Sequence, residues 1–68
     1  MNITQVGNYK VSYKDIDSIE VFTGVYKGQN NNGSHVFINY QDETSLIVGW
    51  EDIIEIEVNG KVFKRGVF

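Results

Sequence analysis

Val11-Ser12-Tyr13-Lys14-Asp15-Ile16-Asp17-Ser18-Ile19-Glu20-Val21 returns 37 positions later as Val48-Gly49-Trp50-Glu51-Asp52-Ile53-Ile54-Glu55-Ile56-Glu57-Val58. In each copy an alternating, strand-like run ends on a large aromatic, an Asp-Ile pair interrupts it, and a second alternating run resumes through Ile-Glu-Val. Aspartate accepts backbone N–H groups at tight turns, and an isoleucine beside the aromatic can tuck beneath it. Both copies are therefore predicted to be corners of an extended chain. Asp15 and Asp52 would each cap a single 3₁₀ turn, Glu55 would take the capping-box position, and Ile16 and Ile53 would point inward.

Outward from these corners the chain reads as strands. Tyr9, Val11 and Tyr13 alternate with Lys10, Ser12 and Lys14, and Leu46, Val48 and Trp50 alternate with Ser45, Ile47 and Gly49. Ile54, Ile56 and Val58 form a third apolar row and Val36, Ile38 and Tyr40 a fourth, with Phe37 and Ile47 on the opposite faces. Asn59-Gly60 sits between two such runs and predicts a type I′ hairpin, because Asn and Gly tolerate the positive φ needed at both central positions. Gly7-Asn8 predicts a similar turn joining a short strand over 3–6 to the Tyr9 strand. Gly24, inside the run 21–27, predicts a bend or bulge that lets one long strand serve two neighbours. The stretch 28–34 is a polar, glycine-bounded loop.

The predicted fold is all-β: one domain over 1–68, a small antiparallel barrel or bent roll of five to six short strands, of SH3-like or Sm-like size. The aromatic-x-Asp-Ile-x-x-Ile-Glu-Val phrase resembles strand corners of Sm-like barrels and of bacterial pleckstrin-homology-like domains over about eleven residues per copy. No family function is carried over from that resemblance.

Composition narrows the function classes. A chain of 68 residues buries only about 60% of the surface its unfolded form exposes, so its core needs reinforcement. Without cysteine, disulfides and thiolate zinc are excluded, and His35 alone cannot build a metal site. Homo-oligomerisation is the remaining common reinforcement. A cysteine-free chain fits a cytoplasmic setting. No apolar stretch has the length of a membrane span. The net charge of −3 counts against nucleic acid as a partner. Charge is also uneven, with six acids and no base over 42–57 and Lys61, Lys64 and Arg65 with no acid over 59–68. The Ile, Asn, Lys, Tyr and Phe bias with a single Arg is what an AT-rich coding sequence would produce, pointing to a low-GC bacterium or one of its phages or mobile elements as the source.

Catalytic signatures are missing: no phosphate loop, no His-Glu-x-x-His, no glycine-flanked nucleophilic serine. Ser34 and His35 are neighbours in extended chain and face opposite ways, so they do not form a nucleophile and base pair. The chain is thus expected to be no enzyme and to need no cofactor or metal. Nine aromatics exceed what so small an interior holds. Tyr13 and Trp50 are expected to close the two ends of the core. Phe22, Tyr26, Phe37 and Phe63 fall off the main apolar faces and are expected, with Asn31, His35 and Arg65, to form a partner- or ligand-binding surface. The expected function is a non-enzymatic protein-interaction module, acting as a homo-oligomer, in its most specific form a phage-encoded inhibitor of a host protein. The alternatives are a small anionic, nucleotide-like ligand held at oligomer interfaces, or an Sm-like RNA binder.

Overall fold

The computed structural model describes residues 7–64. The strand predicted over 3–6, and Arg65 and Phe68, lie outside the described residues. Six strands form one antiparallel sheet: β1 (Asn8–Asp15), β2 (Ser18–Gln29), β3 (His35–Asn39), β4 (Thr44–Val48), β5 (Ile53–Val58) and β6 (Lys61–Lys64), with a 3₁₀ turn at Trp50–Asp52 between β4 and β5. The order across the sheet is β4-β3-β2-β1-β5-β6. The sheet bends into a roll with extents of 29 × 27 × 24 Å, and among the described residues its end strands β4 and β6 are not paired to each other.

Directly opposed residues of an antiparallel pair share a face, so the registers define the two sides. Tyr9–Val58, Val11–Ile56 and Tyr13–Ile53 line the inner face across β1 and β5, and Phe37–Leu46 and His35–Val48 continue it across β3 and β4. Tyr9, Val11, Phe37, Leu46, Val48, Ile53, Ile56 and Val58 are the buried core. Tyr13 and Trp50 both pack against it, and because Tyr13 pairs with Ile53, just beyond the Trp50–Asp52 turn, they lie toward the same end of the core rather than closing its two ends.

The repeated phrase turns the chain twice, by two different devices. At Trp50–Asp52 the chain makes the predicted 3₁₀ turn, and Ile53 is fully buried beyond it. Its N-cap is Gly49 rather than an aspartate. No side chain caps it, Asp52 is its last residue, its N–H donating to the Gly49 carbonyl at 3.0 Å, and Glu55 lies in β5. At Asp15–Ser18 the chain makes a two-residue hairpin turn instead, with Ser18 Oγ donating to the Asp15 carbonyl at 3.1 Å. Ile16 sits at the tip with φ of 56° and is 83% exposed, so it does not tuck inward. A β-branched side chain at positive φ is strained, and burial gives it no compensation there.

Asn59-Gly60 makes the predicted turn, with φ of 52° and 77°. β2 is the long strand shared by two neighbours: 18–25 pair with β1 and Val25 onward pairs with β3. Gly24 allows close approach of β3 at the branch, and the register shift falls later, between Tyr26 and Gln29, near Gly28 with its φ of 95°.

Several inner and outer assignments reverse the expectation. Phe37 points inward and is fully buried, while Val36 and Ile38 lie on the outer face. Phe22 lies opposite Val11, Tyr26 opposite Phe37 and Phe63 opposite Ile56, so all three are inner-face residues packed against the core. Ile19, Val21 and Val62 are exposed instead, at 67, 55 and 50%, whereas Ile47, 61% exposed, lies on the face opposite the buried Leu46 and Val48, as its alternation predicted.

Candidate functional site

Tyr26 and His35 meet because an irregularity in β2 offsets the ladder: Tyr26 pairs with Phe37, and beyond the shift around Gly28 it is Gln29 that pairs with His35. The Tyr26 hydroxyl and His35 Nδ1 are hydrogen-bonded at 2.8 Å. The imidazole also lies 4.6 Å, ring to ring, from Trp50, and the phenol ring lies 5.3 Å from Phe37 and 6.2 Å from Tyr9. His35 is buried, the one polar side chain among the buried residues described. Burial holds its pKa below the usual imidazole value, and burial followed by the neighbouring Tyr9 pushes the Tyr26 phenol up. Both shifts favour the neutral forms at pH 7, and which partner donates in the Tyr26–His35 bond follows from the imidazole tautomer: with the proton on Nε2 the phenol donates to Nδ1.

The loop beside this cluster is organised by Asn30. Its Oδ1 accepts from the N–H groups of Asn32 and Ser34, both at 3.0 Å, and its N–H donates to the Ser34 carbonyl at 2.9 Å. Gln29 Nε2 donates to the Gly33 carbonyl at 2.9 Å. Asn31, the residue expected to make contacts, is exposed in the turn that Asn30 braces. Among the described residues no group of three or more His, Asp or Glu side chains is placed to hold a metal ion.

Of the residues predicted to form a binding surface, the structure brings Tyr26, His35 and Phe37 together. Phe37 is a correction: it is fully buried in the core and offers no surface. Phe22 and Phe63 are half-buried on the inner face, opposite Val11 and Ile56, and Arg65 lies outside the described residues.

A different feature, missed by periodicity, is the free edge of β2. Asn39 Nδ2 donates to the Thr23 carbonyl at 3.0 Å, and Asn39 Oδ1 accepts from the Asp42 N–H at 2.9 Å, so this one side chain ends the β2–β3 ladder and starts the following turn. The Thr23 carbonyl thus points away from β1. Backbone groups alternate sides along an antiparallel strand, so those of Ile19 and Val21 point the same way, onto an edge that no described strand pairs. The two-residue turn agrees, since it closes on a hydrogen-bonded Asp15–Ser18 pair and leaves the odd-numbered residues of β2 facing outward. The signal that would have found this edge is the length of the turn at 16–17, which sets the parity of everything after it.

On the outer face where β3 leaves β2, a cleft of about 200 Å³ is lined by Asn8, Thr23, Val25, Asn39, Tyr40 and Gln41 among others. Tyr40 is 63% exposed beside it, with Lys27 Nζ 5.8 Å from its ring centre. Compared with protein-family models, curated proteins and solved structures, the chain matches none. Among the described residues no helix is long and apolar enough to cross a membrane.

His35 gives the site a pH signature. With its folded pKa depressed, the unfolded chain takes up the proton first as pH falls below about 6.5, so stability rises with pH across the window from the folded value up to 6.5 and flattens below it. Urea midpoints should therefore decrease as the pH is lowered from 7.5 through 6.5 to 5.5, and His35→Gln, which keeps an acceptor for Tyr26, should remove that slope. An unchanged slope in the variant would assign the dependence to other groups.

Proposed function

We propose that this protein is a non-enzymatic protein-binding module that receives an extended segment of its partner along the free edge of β2. The observation that carries this reading is the run Ile19–Thr23, where outward backbone donors and acceptors coincide with exposed β-branched side chains. Folded proteins usually protect such an edge with charge, proline or a covering element. An added strand would satisfy the backbone groups and cover Ile19 and Val21, the strand-addition mode of peptide recognition. The cysteine-free, Asn-, Lys- and Ile-rich composition supports a cytoplasmic setting and a phage or mobile-element source, with inhibition of a host protein as the biological form.

Val21→Pro tests the edge. The Val21 N–H points outward, so its loss spares the β1–β2 ladder, while the ring blocks an incoming strand. Affinity capture with wild-type and Val21→Pro baits should lose the bound protein in the variant with the far-UV spectrum of the fold retained. Equal capture by both baits would rule the edge out. A second reading, a small-ligand binder, is favoured by the amide-lined cleft beside Tyr40. A rise in melting temperature with a nucleotide panel would support it by mass action.

A further inference from the structure

We propose that copies of this chain assemble head to tail, the free edge of β4 in one copy pairing antiparallel with the free edge of β6 in the next, in the register Ser45–Lys64 and Ile47–Val62. This deepens the reading of the protein as an interaction module, and it uses different edges from the partner site on β2.

Strand direction permits it. Every neighbouring pair in the sheet is antiparallel, so across six strands β4 and β6 run in opposite directions. A second copy placed alongside in the same orientation therefore continues the antiparallel alternation.

Backbone parity selects the register. Starting from the Thr23 carbonyl, alternation across the ladders makes Val25–Ile38, Phe37–Leu46, Val11–Phe22, Lys10–Glu57 and Ile56–Phe63 hydrogen-bonded pairs. The two-residue Asn59-Gly60 turn independently requires the same of Val58–Lys61. Among the described residues, those left with N–H and C=O outside the ladders at the two end strands are then Ser45 and Ile47 in β4, and Val62 and Lys64 in β6. One antiparallel register uses all four, and it places the two exposed apolar side chains, Ile47 and Val62, opposite each other on the outer face.

Charge is complementary along the same line. β4 is bracketed by Asp42-Glu43 and Glu51-Asp52, and β6 begins and ends on Lys61 and Lys64. In this register Lys64 lies toward the neighbour's Asp42-Glu43 and Lys61 toward its Glu51-Asp52. Lys64 also stands opposite Glu55 within its own chain, so it would sit between acids on both sides. A contact between two different edges is heterologous, and repetition yields a closed ring or an open fibre rather than a two-fold dimer.

The test is mass in solution, by light scattering and native mass spectrometry. Wild type should exceed a dimer as concentration rises, and the assemblies should shrink between about 50 and 500 mM salt, where exposed charges are screened. Ile47→Pro and Val62→Pro each remove one outward N–H and one edge, so each variant alone should be monomeric, and their equimolar mixture should form a heterodimer and nothing larger. A wild-type monomer up to about 1 mM, a wild-type dimer that grows no further, or one proline variant that still self-associates would overturn the proposal. If a proline variant loses its β signal, Ile47→Lys and Val62→Lys replace the pair, since both side chains are exposed. Val21→Pro should leave the wild-type mass unchanged, so failure of assembly and failure of the partner site are read separately.

Discussion

Phe37→Ala is expected to cost about 3–5 kcal/mol, the range for truncating a buried aromatic. A chain of this length has a total stability of about 3–10 kcal/mol, so the variant should be largely unfolded at 37 °C. The side chain is fully buried, 5.3 Å from the Tyr26 ring and 5.8 Å from Tyr9, and opposite Leu46. Removing it opens a cavity at the centre of the aromatic cluster and loosens the seat of His35 on Tyr26. Urea denaturation and near-UV circular dichroism measure the effect. A variant of native stability that had lost only its partner would return Phe37 to the surface role that periodicity suggested.

Gly24→Ala is the second large effect. A Cβ at this position would stand 2.5 Å from the Ile38 carbonyl oxygen, 2.7 Å from its carbon and 2.8 Å from the Phe22 ring. The ring can rotate away, but the carbonyl belongs to the β2–β3 ladder and moves only if the Val25–Ile38 pair is disturbed. A loss of about 3 kcal/mol is expected, at the upper end for overpacking, which is about 12–24 °C in Tm for a domain of this size. Gly28→Ala is the comparison: its Cβ meets nothing within 4 Å, and only its φ of 95° opposes the change. Equal losses at the two glycines would sink the close-approach account of Gly24.

Much of the fold was legible because its signals are local. Alternation located the strands, and Asn59-Gly60 named its own turn, since both rest on the conformational preferences of a few adjacent residues. The Trp50–Asp52 corner was legible too. Its apparent twin at Asp15–Ser18 was not, because a two-residue hairpin and a 3₁₀ corner can carry the same aromatic-x-Asp-Ile phrase. The polar loop and the start of a strand at His35 were readable, but the bond from His35 to Tyr26 depends on a register shift that neither residue announces.

By itself the sequence determined which segments are extended and where the chain reverses, because backbone preference and side-chain alternation act over a few residues. Only the tertiary structure decided which side of β2 is inside. Ile19 and Val21 look like core residues, yet pairing Asp15 with Ser18 puts Glu20 and Phe22 on the inner parity and turns those two outward. The free edges were likewise decided by the assembled sheet, since an N–H group is satisfied or exposed according to which strand lies beside it.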